Sequence, residues 1–124
     1  MARILVIEDE APIRGNLLRF VTLEGHQAIE AADGRAGLDA ARSQRPDLIF
    51  CDVMMPQMNG LEVLAALQQE PTLKQVPFIF VSASAEPERL EEALRLGAGG
   101  YVTKPFNLAQ LRAVLQQHLP SGSA

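Results

Sequence analysis

The stretch Leu48-Ile49-Phe50-Cys51 most narrows what this chain can become. It has no polar residue in either alternation register, so a strand made from it must be covered on both faces, as in parallel sheets with helices on each side. The run stops at Asp52, and Pro56 and Gly60 follow as loop signals. Asp52 is therefore expected at the carboxyl end of a strand. In open α/β sheets that edge gathers ligands and chemistry, because its loops vary without disturbing the packed layers. On this stretch alone, a turn-starting role for Asp52 stays open, since Asp is a common turn residue.

The rest of the chain repeats the pattern. Arg3–Ile7 is apolar and β-branched and runs into Glu8-Asp9-Glu10. A helical spacing opens at Pro12 and puts Ile13, Leu17, Phe20, Val21 and Leu23 on one stripe, with Gly25 as its cap. Gln27–Ala31 reads as a second strand. Asp33-Gly34 then starts a helix that buries Ala36, Leu38, Ala40 and Ala41 and stops before Pro46. Past the Asp52 loop, Asn59 and Glu62 have capping-box spacing for a helix with Leu61, Leu64 and Leu67 inward, closed by Pro71. Residues 76–81 form a fourth strand that runs into Ser82-Ala83-Ser84. Pro87 begins a helix with Leu90, Ala93 and Leu94 inward and Gly97 as cap, and residues 99–102 form a fifth strand ended by Thr103-Lys104-Pro105-Phe106. Asn107 caps a last helix with Leu108, Leu111, Val114, Leu115 and Leu119 on one stripe. Residues 1–119 are thus read as one domain, and residues 120–124 as a flexible tail or the start of a linker.

Composition excludes several classes of function. A chain of 124 residues, 48% hydrophobic and 21% charged, can bury a real core as one domain. Its nine Arg and two Lys are scattered within a net charge of -4, so no basic stripe is available and direct nucleic-acid binding is not expected. The single cysteine, Cys51, permits no disulfide within the chain and no zinc spacing with His26 and His118. A cytoplasmic location is expected. No signal-peptide layout is present, and no apolar segment approaches the roughly 18 residues of a membrane span.

Five strands alternating with five helices leave few topologies once crossovers are right-handed. Every strand end of interest lies on one sheet edge: Glu8 and Asp9, Asp52, Ser82 and Lys104. Were the order 2-1-3-4-5, strands one and three would be neighbours across the switch point and three carboxylates would meet there. Clustered carboxylates need a compensating cation, and Mg2+ meets that need with oxygen ligands. With Lys104 on the far side, the cluster reads as a phosphoryl-transfer site in which a carboxylate attacks phosphorus. Asp52, lying centrally, is the best nucleophile.

These pieces resemble the receiver domain of bacterial two-component response regulators, of the chemotaxis-regulator type. The matching motifs are Ile4-Leu5-Val6-Ile7-Glu8-Asp9, the loop Asp52-x-x-Met55-Pro56-x-Met58-x-Gly60, Ser82-Ala83, and Gly97-Ala98 leading through Tyr101 to Lys104-Pro105-Phe106. The resemblance implies a single doubly wound, flavodoxin-like α/β domain, with a five-stranded parallel sheet of order 2-1-3-4-5 and five helices. It implies that Asp52 is the phosphoacceptor, that Asp9 directly and Glu8 through water hold Mg2+ with Asp52 and the Met54 backbone carbonyl, and that Ser82 and Lys104 contact the phosphoryl group. Tyr101 is the implied switch aromatic, Pro105 follows a cis bond, and Pro56 and Gly60 shape the loop. The implied function is a phosphorelay switch that takes its phosphoryl group from a histidine kinase or histidine phosphotransfer protein and is not a turnover enzyme. Its output face is helix four, strand five and helix five, for a downstream protein partner or an effector domain.

Gly99-Gly100 stands where many DNA-binding relatives carry two acids, so a monomer or weak dimer is expected in place of their salt-bridged dimer. Rival readings are a flavodoxin, which Glu8-Asp9-Glu10 opposes by repelling phosphate; an aspartyl-phosphate hydrolase, which would carry a cap domain; and a docking module that is never phosphorylated, which would have lost site residues. Cys51 is expected to be a buried packer on the opposite sheet face from Asp52. Met54, Met55 and Met58 are expected to pack among themselves, with Met54 and Ser84 flanking the path of attacking water. His26 and His118 are expected on the surface without partners.

Overall fold

A computed structural model describes residues 1–83 and 87–119. Ser84 and the tail at 120–124 lie outside the described residues. Strands β1 (Arg3–Ile7), β2 (Gln27–Ala31), β3 (Leu48–Asp52), β4 (Phe78–Ser82) and β5 (Gly100–Thr103) form one parallel sheet in the order β2-β1-β3-β4-β5. Between and after them run helices α1 (Ala11–Leu23), α2 (Gly34–Gln44), α3 (Gly60–Gln68), α4 (Pro87–Arg95) and α5 (Leu108–His118).

The period-2 alternation of the strands divides the core into two layers. Leu5, Ile7, Ile49, Cys51, Phe78 and Phe80 face Leu38 of α2, Val63, Leu64 and Leu67 of α3, and Ala93 of α4. Ile4, Val6, Leu48, Phe50, Ile79 and Val81 face Leu17, Phe20 and Val21 of α1 and Leu111 and Leu115 of α5. β3 and β4 are buried at every position, as unbroken apolar runs require. Cys51 lies in the first layer, as expected, with its thiol 3.3 Å from the Asp52 carbonyl. Burial, with the nearby charges of Asp52 and Glu8, pushes that thiol well above its usual value.

Polar side chains punctuate the helices where the sequence suggested. Asp33 accepts the Ala36 amide at 2.8 Å, and Asn59 and Glu62 exchange reciprocal bonds at 2.9 Å. Asn107 makes the same box with Gln110. Several positions differ from the sequence reading. Leu23 is 76% exposed, beyond the part of α1 that meets the sheet. On α4 only Ala93 is buried, while Leu90 and Leu94 are 40% and 51% exposed. A helix seated through one small side chain leaves its flanking leucines outside. Leu108, at the start of α5, is likewise exposed. β4 begins at Phe78 because residues 71–76 form turns and Pro77 lacks an N–H, although the Pro77 carbonyl accepts the Ile49 amide at 2.9 Å. Those turns bury Leu73 against the α2 and α3 layer.

Both histidines are half-buried with neighbours, contrary to expectation. His26 Nδ1 accepts the Ala2 amide at 3.0 Å. His118 lies over the start of β5, where a Cβ on Gly99 would stand 3.2 Å from its Cε1.

Candidate functional site

Parallel pairing fixes the geometry of the carboxyl edge. Ile7 is paired with Ala31 on one side and Cys51 on the other, so the chain leaving β1 at Glu8 emerges beside Asp52, the last residue of β3. Asp52 is paired with Val81, and Ser82 with Thr103, which brings Ser82 and Lys104 to the same edge. The Lys104 amide donates to the Ser82 carbonyl at 2.8 Å. The Lys104-Pro105 bond is cis, as the resemblance implied.

Ligand atoms of Glu8, Asp9, Glu10 and Asp52 lie within 4.8 Å of one another. Glu8 and Asp52 are buried, and Glu10 is exposed. Lys104 Nζ stands 2.9 Å from Glu8 Oε1, 3.4 Å from Asp52 Oδ2 and 3.8 Å from Glu10 Oε1. The other Asp52 oxygen, Oδ1, accepts the Met54 amide at 3.3 Å. The structure thus brings Glu8, Asp9, Asp52 and Lys104 together, with Ser82 buried at the neighbouring strand end.

The loop after Asp52 is held by its own backbone. The Gly60 amide donates to Val53 O at 2.9 Å, and a Cβ on Gly60 would drive into the Asp52 carbonyl and stand 2.8 Å from the Phe80 ring. Exposed Pro56 begins a three-residue turn closed by the Met58 amide at 2.7 Å, with Gln57 at φ 69°. The methionines do not pack as one group. Met55 is in the core and Met58 lies on Gly34, whereas Met54 is 58% exposed and its sulfur accepts from Arg89 of α4 at 3.3 Å. Tyr101 is half-buried, its ring centroid 6.1 Å from that of Phe80.

Crowded charge in a partly buried site shifts the proton affinities. Burial raises the Glu8 carboxyl from 4.5 to about 7, against the opposing hydrogen bonds of Lys104 and the Glu10 amide. Burial also raises Asp52, against the Lys104 charge. For Lys104, burial alone would lower the ammonium, but the hydrogen bond to Glu8 and the charges of Asp52, Glu8 and Glu10 hold it above its usual value. The Lys104 ammonium pairs with three of the four clustered carboxyl groups, those of Glu8, Glu10 and Asp52.

The donor set fits a hard divalent cation. Its oxygen atoms converge, and Asp9 Oδ1 is buried with no hydrogen-bond partner among the described residues, so a metal–oxygen bond would satisfy it. Two contributors escaped the sequence reading. Glu10 completes the acid group, a place its position in the acid triplet could have suggested. Arg14 of α1 donates from Nη1 to the Glu8 carbonyl at 2.8 Å and pairs through Nε with Glu30 at 2.9 Å, which no sequence signal announced.

A doubly wound sheet with converging acids at its switch point and a lysine from the end of β5 paired with them defines a receiver-type domain. The chain belongs to the response regulator receiver domain family, whose model matches residues 4–116. It is 34% identical over 122 residues to the phosphate regulon transcriptional regulatory protein PhoB of Escherichia coli strain K12, covering 95% of this chain and 53% of PhoB. It is 37% identical over 117 residues to the regulatory protein AtoC of the same strain, covering 94% of this chain and 25% of AtoC. The chain therefore spans about half the length of the first of these curated relatives and a quarter of the second. Among solved structures, chemotaxis protein CheY4 of Vibrio cholerae superposes with a TM-score of 0.91 at 34% identity, covering 96% of this chain and 99% of that one. No helix among the described residues is long and apolar enough to cross a membrane.

Proposed function

We propose that this domain is a phosphorylatable switch that accepts one phosphoryl group on Asp52 from a phosphohistidine in a histidine kinase or histidine phosphotransfer protein. The observation that carries the reading is the buried Asp52 carboxylate within the acid group, with Lys104 Nζ 3.4 Å from it and 2.9 Å from Glu8. An Asp52 carboxylate oxygen attacks phosphorus, the phosphorus–nitrogen bond to the donor imidazole breaks, and the electron pair leaves with that nitrogen. Lys104 and the Ser82 hydroxyl contact the transferring group's oxygens, and the Met54 amide holds Asp52 Oδ1. Mg2+, held by Asp9, Asp52 and the Met54 carbonyl, with Glu8 through water, would neutralise charge developing on those oxygens.

The domain acts stoichiometrically and is not a turnover enzyme. It works in the cytoplasm as a monomer or weak dimer without touching nucleic acid itself. Its phosphorylated state is read through Ser82 and Tyr101 by a protein partner, or an effector domain, on the face of α4, β5 and α5. Intact-mass spectrometry with Mg2+ and a small phosphodonor tests the central step. One phosphoryl mass is expected on the natural chain and none on Asp52→Asn; equal uptake by the variant would overturn the assignment.

A further inference from the structure

The acid turn between β1 and α1 is tied to the first turn of α1 by an arginine side chain. Glu10, the residue before α1, makes no side-chain cap bond, so the usual anchor of a helix start is missing. Arg14 spans the turn. Its amide donates to the Glu10 carbonyl at 2.9 Å, and its Nη1 reaches back to the Glu8 carbonyl at 2.8 Å. Glu30 on β2 orients the guanidinium through Nε at 2.9 Å and keeps that charge on the β2 side of the turn. Of the two peptide groups flanking Asp9, the one carrying the Glu8 carbonyl is thus bound by the Arg14 side chain, and the one carrying the Glu10 amide by the Glu8 carboxylate. The turn is also tied by the Glu8 amide to Ala31 O at 3.1 Å, by the Glu10 amide to Glu8 Oε2 at 3.1 Å and, through its side chains, by Lys104.

We infer that Arg14 is a positioning residue for the metal-binding turn, its guanidinium holding the Glu8–Asp9 peptide through the Glu8 carbonyl so that the Asp9 and Glu8 carboxylates converge on Asp52. The inference rests on the proposed reading of the acid group as a Mg2+ site. It makes a prediction opposite in sign to simple electrostatics. Arg14 puts a positive charge beside the site, so charge alone says that its removal tightens cation binding. Positioning says that its removal weakens it. Lysine keeps the charge but lacks the planar fork that serves two acceptors at once.

The natural chain, Arg14→Lys and Arg14→Met are compared by Mg2+ titration followed through the amide shifts of Asp9, Glu10 and Met54. Amide hydrogen exchange of Glu10 is measured without metal, and circular dichroism verifies folding. Both variants are expected to bind Mg2+ about tenfold more weakly, the scale of lost outer-shell support, and to exchange the Glu10 amide faster. At saturating Mg2+, Arg14→Lys should take up phosphoryl at the natural maximal rate, which places the loss in metal binding. An unchanged affinity in Arg14→Lys, a tighter one in Arg14→Met, or a lowered rate at saturation would overturn the inference. If the natural chain shows no Mg2+-dependent shifts, the metal reading itself fails, and the Glu10 exchange rate still judges whether Arg14 holds the turn.

Discussion

The metal-free domain should lose stability as pH rises through the range where most proteins are most stable. Glu8 is buried, and its carboxyl, raised from 4.5 to about 7, keeps its proton in the folded state over a range where the unfolded chain has released it. Below 4.5 both states are protonated and the stabilising contribution is complete; above 7 both are ionised and it is gone. At about 1.4 kcal/mol for each pH unit between the two values, the loss is about 3–4 kcal/mol. Asp52, raised for the same reason, acts in the same direction. Urea unfolding in EDTA at constant ionic strength should show most of this fall between pH 5 and 7.5. With slopes of about 1–3 kcal/mol per molar urea, the midpoint should drop by about 1–4 M. Glu8→Gln, neutral throughout, should flatten the profile, and saturating Mg2+ should remove it by favouring the ionised acids. Stability rising over this range without metal, or a full slope retained in Glu8→Gln, would refute the argument.

Three further outcomes follow from particular contacts. Gly60→Ala should destabilise the domain by about 1–3 kcal/mol in urea unfolding, because its Cβ meets backbone at Asp52 and a packed ring at Phe80. On the proposed reading, Met54→Asn should speed loss of the phosphoryl group, since an apolar side chain two residues past the acceptor cannot orient water; an unchanged or slower rate, followed by intact mass, counts against it. Ser82→Ala, fully phosphorylated, should show weaker amide shifts at Tyr101 and along α4 than the natural chain, and identical shifts would remove Ser82 from the coupling.

Much of the fold was legible because several local signals agreed. Leu48-Ile49-Phe50-Cys51 permits no exposed face, Asn59 with Glu62 names a helix start, and the polar strand ends fall together once the sheet is parallel. Where reading fell short, the missing information was distance. Periodicity places Leu90 and Leu94 on one stripe of α4 but says nothing of how far that stripe stands from the sheet, and only Ala93 reaches it. Met54 looked like part of a methionine cluster, yet the loop turns it outward to Arg89. Arg14 and Glu30 meet across 16 positions through a long side chain, which no local pattern encodes.

The exposed leucines of α4 and the ring stack beneath Tyr101 bear on how a change at Asp52 could reach a partner. Phe78 meets Phe80 edge-on at 5.0 Å, Phe80 meets Tyr101 at 6.1 Å, and Phe80 also limits the space beside Gly60 and the Asp52 carbonyl. Packing continuity alone does not establish coupling; that requires an element with two arrangements whose balance both sites bias. The proposed reading makes that element Tyr101, half-buried and packed at the edge of these rings. On the proposed reading, a phosphoryl group draws the Ser82 hydroxyl toward its oxygens and vacates space for the ring to move inward. One charge-assisted bond of about 1.5–3 kcal/mol present in only one arrangement shifts such a balance by about ten- to 150-fold. That bias is enough to expose or cover a modest apolar surface, and Leu90 and Leu94 already lie outside the core where a partner could use them.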